Sequence, residues 1–180
     1  PTIPSGNQII DWTGSGAGTI HATNILHRHV IHCSCIVNST GKIFIPLSHG
    51  LAETASTAHN TELVSYIVPC DGYVDYIIAR SEYNSHGDTI CGLHVASNGT
   101  ENPNTTASDT VTVDMSSNNI SFKFEGGSGW SFSAGDSIAI SFDPTDADPW
   151  SYSGDATFTV VLVYDWNNPL DTYSGGGGCG

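Results

Sequence analysis

Histidine and cysteine residues crowd into one short stretch of this 180-residue chain, between His27 and Cys35. In an extended strand the side chains alternate between two faces, so His27, His29, Cys33 and Cys35 share one face. If three copies of the chain meet on an axis, His27 and His29 of each copy supply six imidazoles. Six nitrogen ligands suit iron or another transition metal. The alternative is that both histidines are ordinary strand residues and that the thiols pack as small hydrophobic groups.

Aromatic residues in or beside turn-rich segments form a second candidate site. An aromatic ring on a rigid β scaffold stacks on a sugar ring, while nearby Asp or Asn side chains bond its hydroxyls. We predict receptor-binding roles for Trp130, Trp150, Tyr152 and Trp166. The alternative is that these rings close the ends of the protein core.

The residues that catalysis requires are present in no informative pattern. Ser, Cys, His and Asp are all abundant, so their coexistence does not indicate a nucleophile with its base. The glycine-rich segment 126–130 lies in a predicted β turn and lacks the Gly-x-Ser-x-Gly motif. The acidic loop 143–150 lacks the Gly and terminal Glu of an EF-hand calcium loop. We therefore expect no enzyme, with a polysaccharide depolymerase as the alternative.

Charge and composition exclude two classes of partner. The chain has 4 Lys and Arg against 18 Asp and Glu, for a net charge of -14. So few cations cannot neutralise a run of phosphates, which excludes nucleic acid. No apolar run approaches the roughly 20 residues of a membrane helix, so we expect no membrane insertion. Low charge with abundant Asn, Ser and Thr indicates a surface outside cells or on a particle.

The hydrophobic pattern beyond residue 60 predicts short strands. β-Branched and aromatic runs separated by Gly, Asn, Asp and Pro occupy 61–69, 73–81, 89–97, 110–114, 120–125, 137–143 and 156–165. Apolar residues alternate most clearly in two of these runs, which predicts that Ile120, Phe122, Phe124, Ile138, Ile140 and Phe142 face a core. No segment carries a helical period. The pattern predicts an antiparallel jelly-roll sandwich, and thus an all-β head, over residues 61–174.

The first 60 residues contain few apolar side chains, too few to form a closed core alone. We therefore predict an extended stem over residues 1–60, in which several copies of the chain intertwine. The glycine-rich residues 175–180 are predicted to form a flexible tail.

The segments PTIPSGNQIIDWT (residues 1–13) and GTIHATNI (18–25) resemble sequences in phage tail fibres, where marine phages carry similar stretches ahead of the distal domain. Residues 132–138 and 158–164 resemble the last strands of trimeric jelly-roll heads, including the C1q/TNF-like group. The resemblance implies an extracellular, virion-borne homotrimer. Its distal head would bind a host-cell glycan or an outer-membrane protein.

The resemblance also bears on the metal and on the alternatives. Some phage fibres hold axial iron with His-x-His pairs, which implies iron as the cofactor at His27 and His29. A capsid decoration or head-fibre protein is the first alternative function. A secreted C1q-like binding module is the second, and glycans on Asn98 or Asn104 would favour it.

Overall fold

The computed structural model describes residues 26–37, 41–47, 64–81, 87–100, 103, 106–117, 119–144 and 154–169. Within these ranges every regular element is a β-strand. The strands are β1 (Leu26–Val37), β2 (Ile43–Phe44), β3 (Tyr66–Ile67), β4 (Cys70–Ser81), β5 (Asp88–Ala96), β6 (Asp109–Asp114), β7 (Ser121–Phe124), β8 (Ser131–Phe132), β9 (Ser137–Pro144) and β10 (Gly154–Pro169). This part of the chain contains no helix long and apolar enough to cross a membrane.

The strands form two antiparallel sheets packed face to face. Sheet A has the order β1-β10-β4-β7, with β8 also paired to β4. Sheet B has the order β2-β9-β5-β6, with β3 also paired to β9. The chain crosses between the sheets at most connections, and this strand order is that of a jelly-roll sandwich. The prediction of an all-β antiparallel sandwich is confirmed.

The sandwich begins well before residue 60, which corrects the predicted domain boundary. β1 pairs with β10 along its whole length, and β2 pairs with β9. The apolar residues of 26–47 are too few for a core of their own, but they complete a core whose other walls come from later strands. The predicted stem is therefore wrong for residues 26–47. Residues 1–25 and the predicted tail 175–180 lie outside the described residues.

The core between the sheets is rich in aromatic rings. The ring of Phe142 lies 5.2 Å from that of Phe124 and 4.9 Å from that of Phe158, centroid to centroid. Ile138, Ile140 and Phe142 are fully buried, as their alternation predicts. Such rings bury a large apolar area, and their tilted and edge-on contacts add to that stabilisation.

One predicted core residue is on the surface. Ile120 is 52% exposed, because it precedes β7 and follows Asn119, whose φ of 60° turns the chain. The alternation begins only inside the strand, where Phe122 packs against the core and Phe124 is fully buried.

Carboxylates fasten the loops at one end of the sandwich. The buried side chain of Asp136 accepts hydrogen bonds from the backbone N–H of Asn98, at 3.0 Å, and of Ser133, at 2.8 Å. Asp71 accepts the backbone N–H of Ala134 at 2.8 Å. Because buried N–H groups need partners, these two carboxylates stabilise the loops that follow β5 and β8.

Candidate functional site

Part of the outer face of sheet B, over β2, β9 and β5, is covered by the chain itself. Phe44 and Ala139 are buried on this face and form a small apolar cluster with Val64. A Cβ atom added at Gly92 would lie 2.8 Å from the Cβ of Ala107, so the segment before β6 lies directly on β5. This face therefore offers no open apolar surface at these residues.

A histidine and a serine are enclosed on the same face. Nε2 of His94 lies 2.8 Å from Oγ of Ser141, and the His94 ring lies 5.0 Å from that of Phe44. His94 is 0% exposed and Ser141 is 2% exposed. A His–Ser hydrogen bond is the pairing that activates a nucleophilic serine, but here no substrate can reach it without moving the covering residues.

On the outer face of sheet A many of the described side chains are exposed, and they form rows across the sheet. Strand register places Val30, Val161 and Tyr76 in one row and Arg28, Val163 and Tyr73 in the next. Together with the two polar rows that follow, these side chains form the sheet A face: Arg28, Val30, His32, Ser34, Tyr73, Tyr76, Ile78, Arg80, Ser121, Lys123, Thr157, Thr159, Val161 and Val163.

The centre of the sheet A face is apolar. Val30 is 46% exposed and Tyr73 is 41% exposed, whereas Val161 and Val163 lie between the flanking strands and are each 3% exposed. Val30 and Tyr73 therefore expose apolar surface on either side of β10, whose own valines on this face are buried. Tyrosine and arginine, here Tyr73 and Arg28, are residue types enriched at protein interfaces, so this face is a candidate contact surface.

The sheet A face also holds three of the four Lys and Arg residues of the chain: Arg28, Arg80 and Lys123. Nη2 of Arg28 lies 3.0 Å from Oδ2 of Asp75. Lys123 pairs with Glu125, and its Nζ lies 4.5 Å from the ring centroid of Tyr76. These ion pairs leave the face close to neutral, so the net negative charge lies elsewhere on the chain.

The predicted metal ligands lie on the side of β1 that faces sheet B. His29 stacks between Tyr66 and Tyr164, with ring centroids 6.2 Å and 6.0 Å away. The hydroxyl of Tyr164 donates to that of Tyr66 at 3.4 Å, and burial together with this bond raises the pKa of Tyr164. His27 shares the same face of β1 and is exposed.

Two imidazoles from one chain do not fill an octahedral site. Among the described residues, no group of three or more His, Cys, Asp and Glu side chains is placed to hold a metal. Iron at His27 and His29 therefore requires ligands from other copies, and it stays a prediction.

Trp130, predicted to bind a receptor, is a core residue. Its side chain is 0% exposed, and its backbone N–H donates a hydrogen bond to the carbonyl of Gly127, which closes a turn. A Cβ atom at Gly126 would lie 2.0 Å from the indole ring, so only glycine fits beneath it. The receptor-binding role is therefore wrong for Trp130, because the turn folds the ring back onto the sandwich.

The other predicted receptor-binding residues fall at the limits of the description. Trp166 belongs to β10, but its side chain lies outside the described part. Trp150 and Tyr152 lie in residues 145–153, which are outside it altogether. Receptor binding by these three residues stays a prediction.

The described cysteines are buried free thiols: Cys33, Cys35, Cys70 and Cys91. Burial raises the pKa of Cys33 to about 12, and the neighbouring Cys35 adds to that shift. Burial likewise raises the pKa of Cys91 well above its ordinary value. A protonated, enclosed thiol is a poor metal ligand and a poor nucleophile, so these side chains serve as small hydrophobic groups.

No protein-family model matches the chain, and no curated protein matches it in sequence. Among solved structures it is similar to a chain from the acidic stable capsid structure of Helicobacter pylori bacteriophage KHP30, with 9% identity and a TM-score of 0.37; the match covers 77% of this chain and 93% of that one. It is also similar to a chain from the structure of infectious bursal disease virus, Gx strain, with 10% identity, 91% and 41% coverage and a TM-score of 0.36. Similarities of this size assign the chain to no family.

Proposed function

We propose that this chain is a virion structural protein: the distal, host-binding part of a homotrimeric phage tail fibre. The observation that carries the proposal is the outer face of sheet A, where Val30 and Tyr73 are exposed and three of the chain's four Lys and Arg residues lie. A rigid sandwich with one such face is suited to assembly into a larger particle. The resemblance of residues 1–25 to fibre sequences supports the fibre as that particle.

The enclosed reactive groups favour binding over catalysis. The His94–Ser141 pair and the described thiols are all buried, and burial raises the pKa of Cys33 further above neutral pH. Catalysis needs a nucleophile within reach of its substrate and a base beside it. The geometry of the described residues therefore supports a structural and adhesive role better than a hydrolytic one.

The adhesive mechanism that we propose is avidity. A rigid trimeric head presents three identical sites, and several fibres on one particle multiply them, so weak individual contacts add up to firm attachment. Trp150, Tyr152 and Trp166 are the proposed contacts with a host glycan or an outer-membrane protein. An aromatic ring supplies stacking area at a small cost in side-chain entropy.

Immunogold electron microscopy on particles that carry this chain tests the proposal. Antibodies raised against the purified chain should label the distal ends of the tail fibres. Label over the capsid would reject the tail-fibre role and favour the alternative of a capsid decoration protein. Absence of the chain from purified particles would reject any virion role, and release of reducing sugar ends from host polysaccharide would favour the depolymerase.

A fluorescent fusion of the full chain tests the adhesive part separately. Applied to a panel of marine bacterial isolates, it should bind a subset of strains and block phage adsorption to them. A Trp166→Ala variant should bind those strains more weakly, whereas Ile67→Ala, at an exposed site on β3, should bind as the unchanged protein does. Binding to no strain that the phage adsorbs to would contradict the adhesin role.

A further inference from the structure

The net charge of the chain sets a condition on any contact between its copies. At -14, two copies repel each other wherever their acidic surfaces meet. Like charges brought together at an interface oppose association. A surface through which copies associate must therefore lack the acidic excess that the rest of the chain carries.

The sheet A face meets this condition. Three of the chain's four cations lie on it, and Asp75 and Glu125 balance two of them. Lys42, the remaining cation, lies beside Asp143 at 3.9 Å and so adds no positive surface elsewhere. Arg80 is exposed and has no ion-pair partner among the described residues, which leaves it available to a carboxylate of another copy.

The chemistry of the face also suits a protein partner. Three strands that each contribute about eight residues, with the four-residue β7 beside them, give a flat footprint of roughly 400 Å² at about 4.8 Å between strands and ~3.3 Å per residue. A stable interface takes about 800 Å² of accessible surface from each partner, so residues around the sheet A face must add to the contact. Tyrosine and arginine, which are enriched in such interfaces, occupy the rows around Val30 and Val161.

We propose that the sheet A face is where copies of this chain associate, with a second copy of the chain as its occupant. The proposal rests on the homotrimer proposed above and names its contact surface. Around a three-fold axis, each copy turns Val30, Tyr73 and Tyr76 toward its neighbours, and Arg80 pairs with a neighbour's carboxylate. Each strongly acidic copy then meets the others through a face on which two of the three cations are paired with carboxylates.

Charge insertion at the centre of the face is the first test. Val30→Glu and Tyr73→Glu should each weaken association of the full chain at least about tenfold in light scattering, since a buried, unpaired carboxylate opposes contact. Arg80→Glu should weaken it as well. The matched control is Ile67→Glu, because Ile67 is 69% exposed on β3 of sheet B and should leave association unchanged.

Hydroxyl-radical footprinting of the unchanged protein is the second test and needs no variant to fold. Tyr73 and Tyr76 should be oxidised less in concentrated than in dilute solution, whereas oxidation of Ile67 should not change. Equal oxidation of Tyr73 at both concentrations, in a protein that does associate, would overturn the proposal. So would association of Val30→Glu with the affinity of the unchanged chain.

Failure of this inference and failure of the proposed function give different results. A chain that trimerises through another surface, yet labels fibre tips, leaves the fibre role intact and rejects the sheet A face. A chain that associates through the sheet A face but is missing from particles supports the sheet A face as the contact and rejects the fibre role.

Discussion

His29 of β1 stacks on Tyr66 of β3, with ring centroids 6.2 Å apart and ring planes 17° from parallel. β1 is an edge strand of sheet A, and β3 pairs with β9 in sheet B, so this contact joins the two sheets. Tyr164 covers His29 as well, at 6.0 Å. The histidine predicted as a metal ligand thus also has a structural role within a single chain.

Substitution of His29 separates its two roles. His29→Ala should lower the free energy of unfolding by about 1–2 kcal/mol, because it removes a partly buried ring and two stacking contacts. His29→Phe keeps a ring between the tyrosines and should stay within about 1 kcal/mol of the unchanged protein. Urea unfolding measures both effects.

Elemental analysis of the same variants addresses the metal. If His27 and His29 hold iron in the assembled chain, the unchanged protein contains iron and His29→Phe, which keeps the ring but not the imidazole nitrogens, does not. Iron-free unchanged protein, or an equal iron content in both proteins, would contradict the axial metal site.

The packing of Trp130 on Gly126 predicts a sharp local intolerance. Gly126→Ala should destabilise the fold by roughly 1–3 kcal/mol, because the new methyl group would lie 2.0 Å from the indole ring of a fully buried side chain. Gly127→Ala is the matched control, since a Cβ there meets nothing within 4 Å. Equal melting temperatures for the two variants would contradict the packing described for Trp130.

The buried carboxylate of Asp136 predicts a second local effect. Asp136→Ala leaves the N–H groups of Asn98 and Ser133 without their partner, and should cost about 2–3 kcal/mol. Asp114→Ala, at an exposed carboxylate that accepts the hydroxyl of Ser116, should change stability by less than about 1 kcal/mol. Thermal unfolding of both variants makes the comparison, and a similar loss in both would count against the role of Asp136.

The buried thiols predict loss of stability at alkaline pH. Burial raises the pKa of the Cys33 thiol from its ordinary value of 9.0 to about 12 in the folded chain. Above pH 9 the thiol therefore loses its proton in the unfolded chain before it does so in the folded chain. Unfolding then becomes easier by about 1.4 kcal/mol per pH unit for each such thiol, until the folded pKa is reached. Urea midpoints measured from pH 8 to pH 11 should fall, and they should fall less steeply in Cys33→Ala.

Thiol reactivity provides an independent check on the same residues. In a Cys179→Ser background, Cys33, Cys35, Cys70 and Cys91 should react with Ellman's reagent only after unfolding, because all are buried. Rapid reaction of any of them in the folded chain would show that its surroundings are more open than described.

The sequence predicts those parts of the fold that depend on local alternation. Ile138, Ile140 and Phe142 face the core as their spacing requires, and Cys33 and Cys35 share the buried side of β1. The role of residues 26–37 was not predictable in this way, because β1 pairs with β10, more than a hundred residues further along the chain. No local pattern carries such a pairing.

In the candidate site, too, the features that depend on long-range pairing were not predictable from the sequence. Trp130 follows glycines, which predicts a loop residue, but the turn at Gly127 places its ring in the core. The sheet A face was not predictable because its rows join β1, β10, β4 and β7, and only their register places Val30 beside Val161 and Tyr76. Arg28, Arg80 and Lys123 are likewise scattered in sequence and share a face only in the folded sheet.

Native mass spectrometry of the full chain, unchanged and as Val30→Glu, tests the central claim most directly. We expect the unchanged protein to have three times the 18.9 kDa mass of one chain, and Val30→Glu to have the mass of one folded chain. An unchanged protein that remains at 18.9 kDa, or a Val30→Glu variant that remains a trimer, would contradict assembly through the sheet A face.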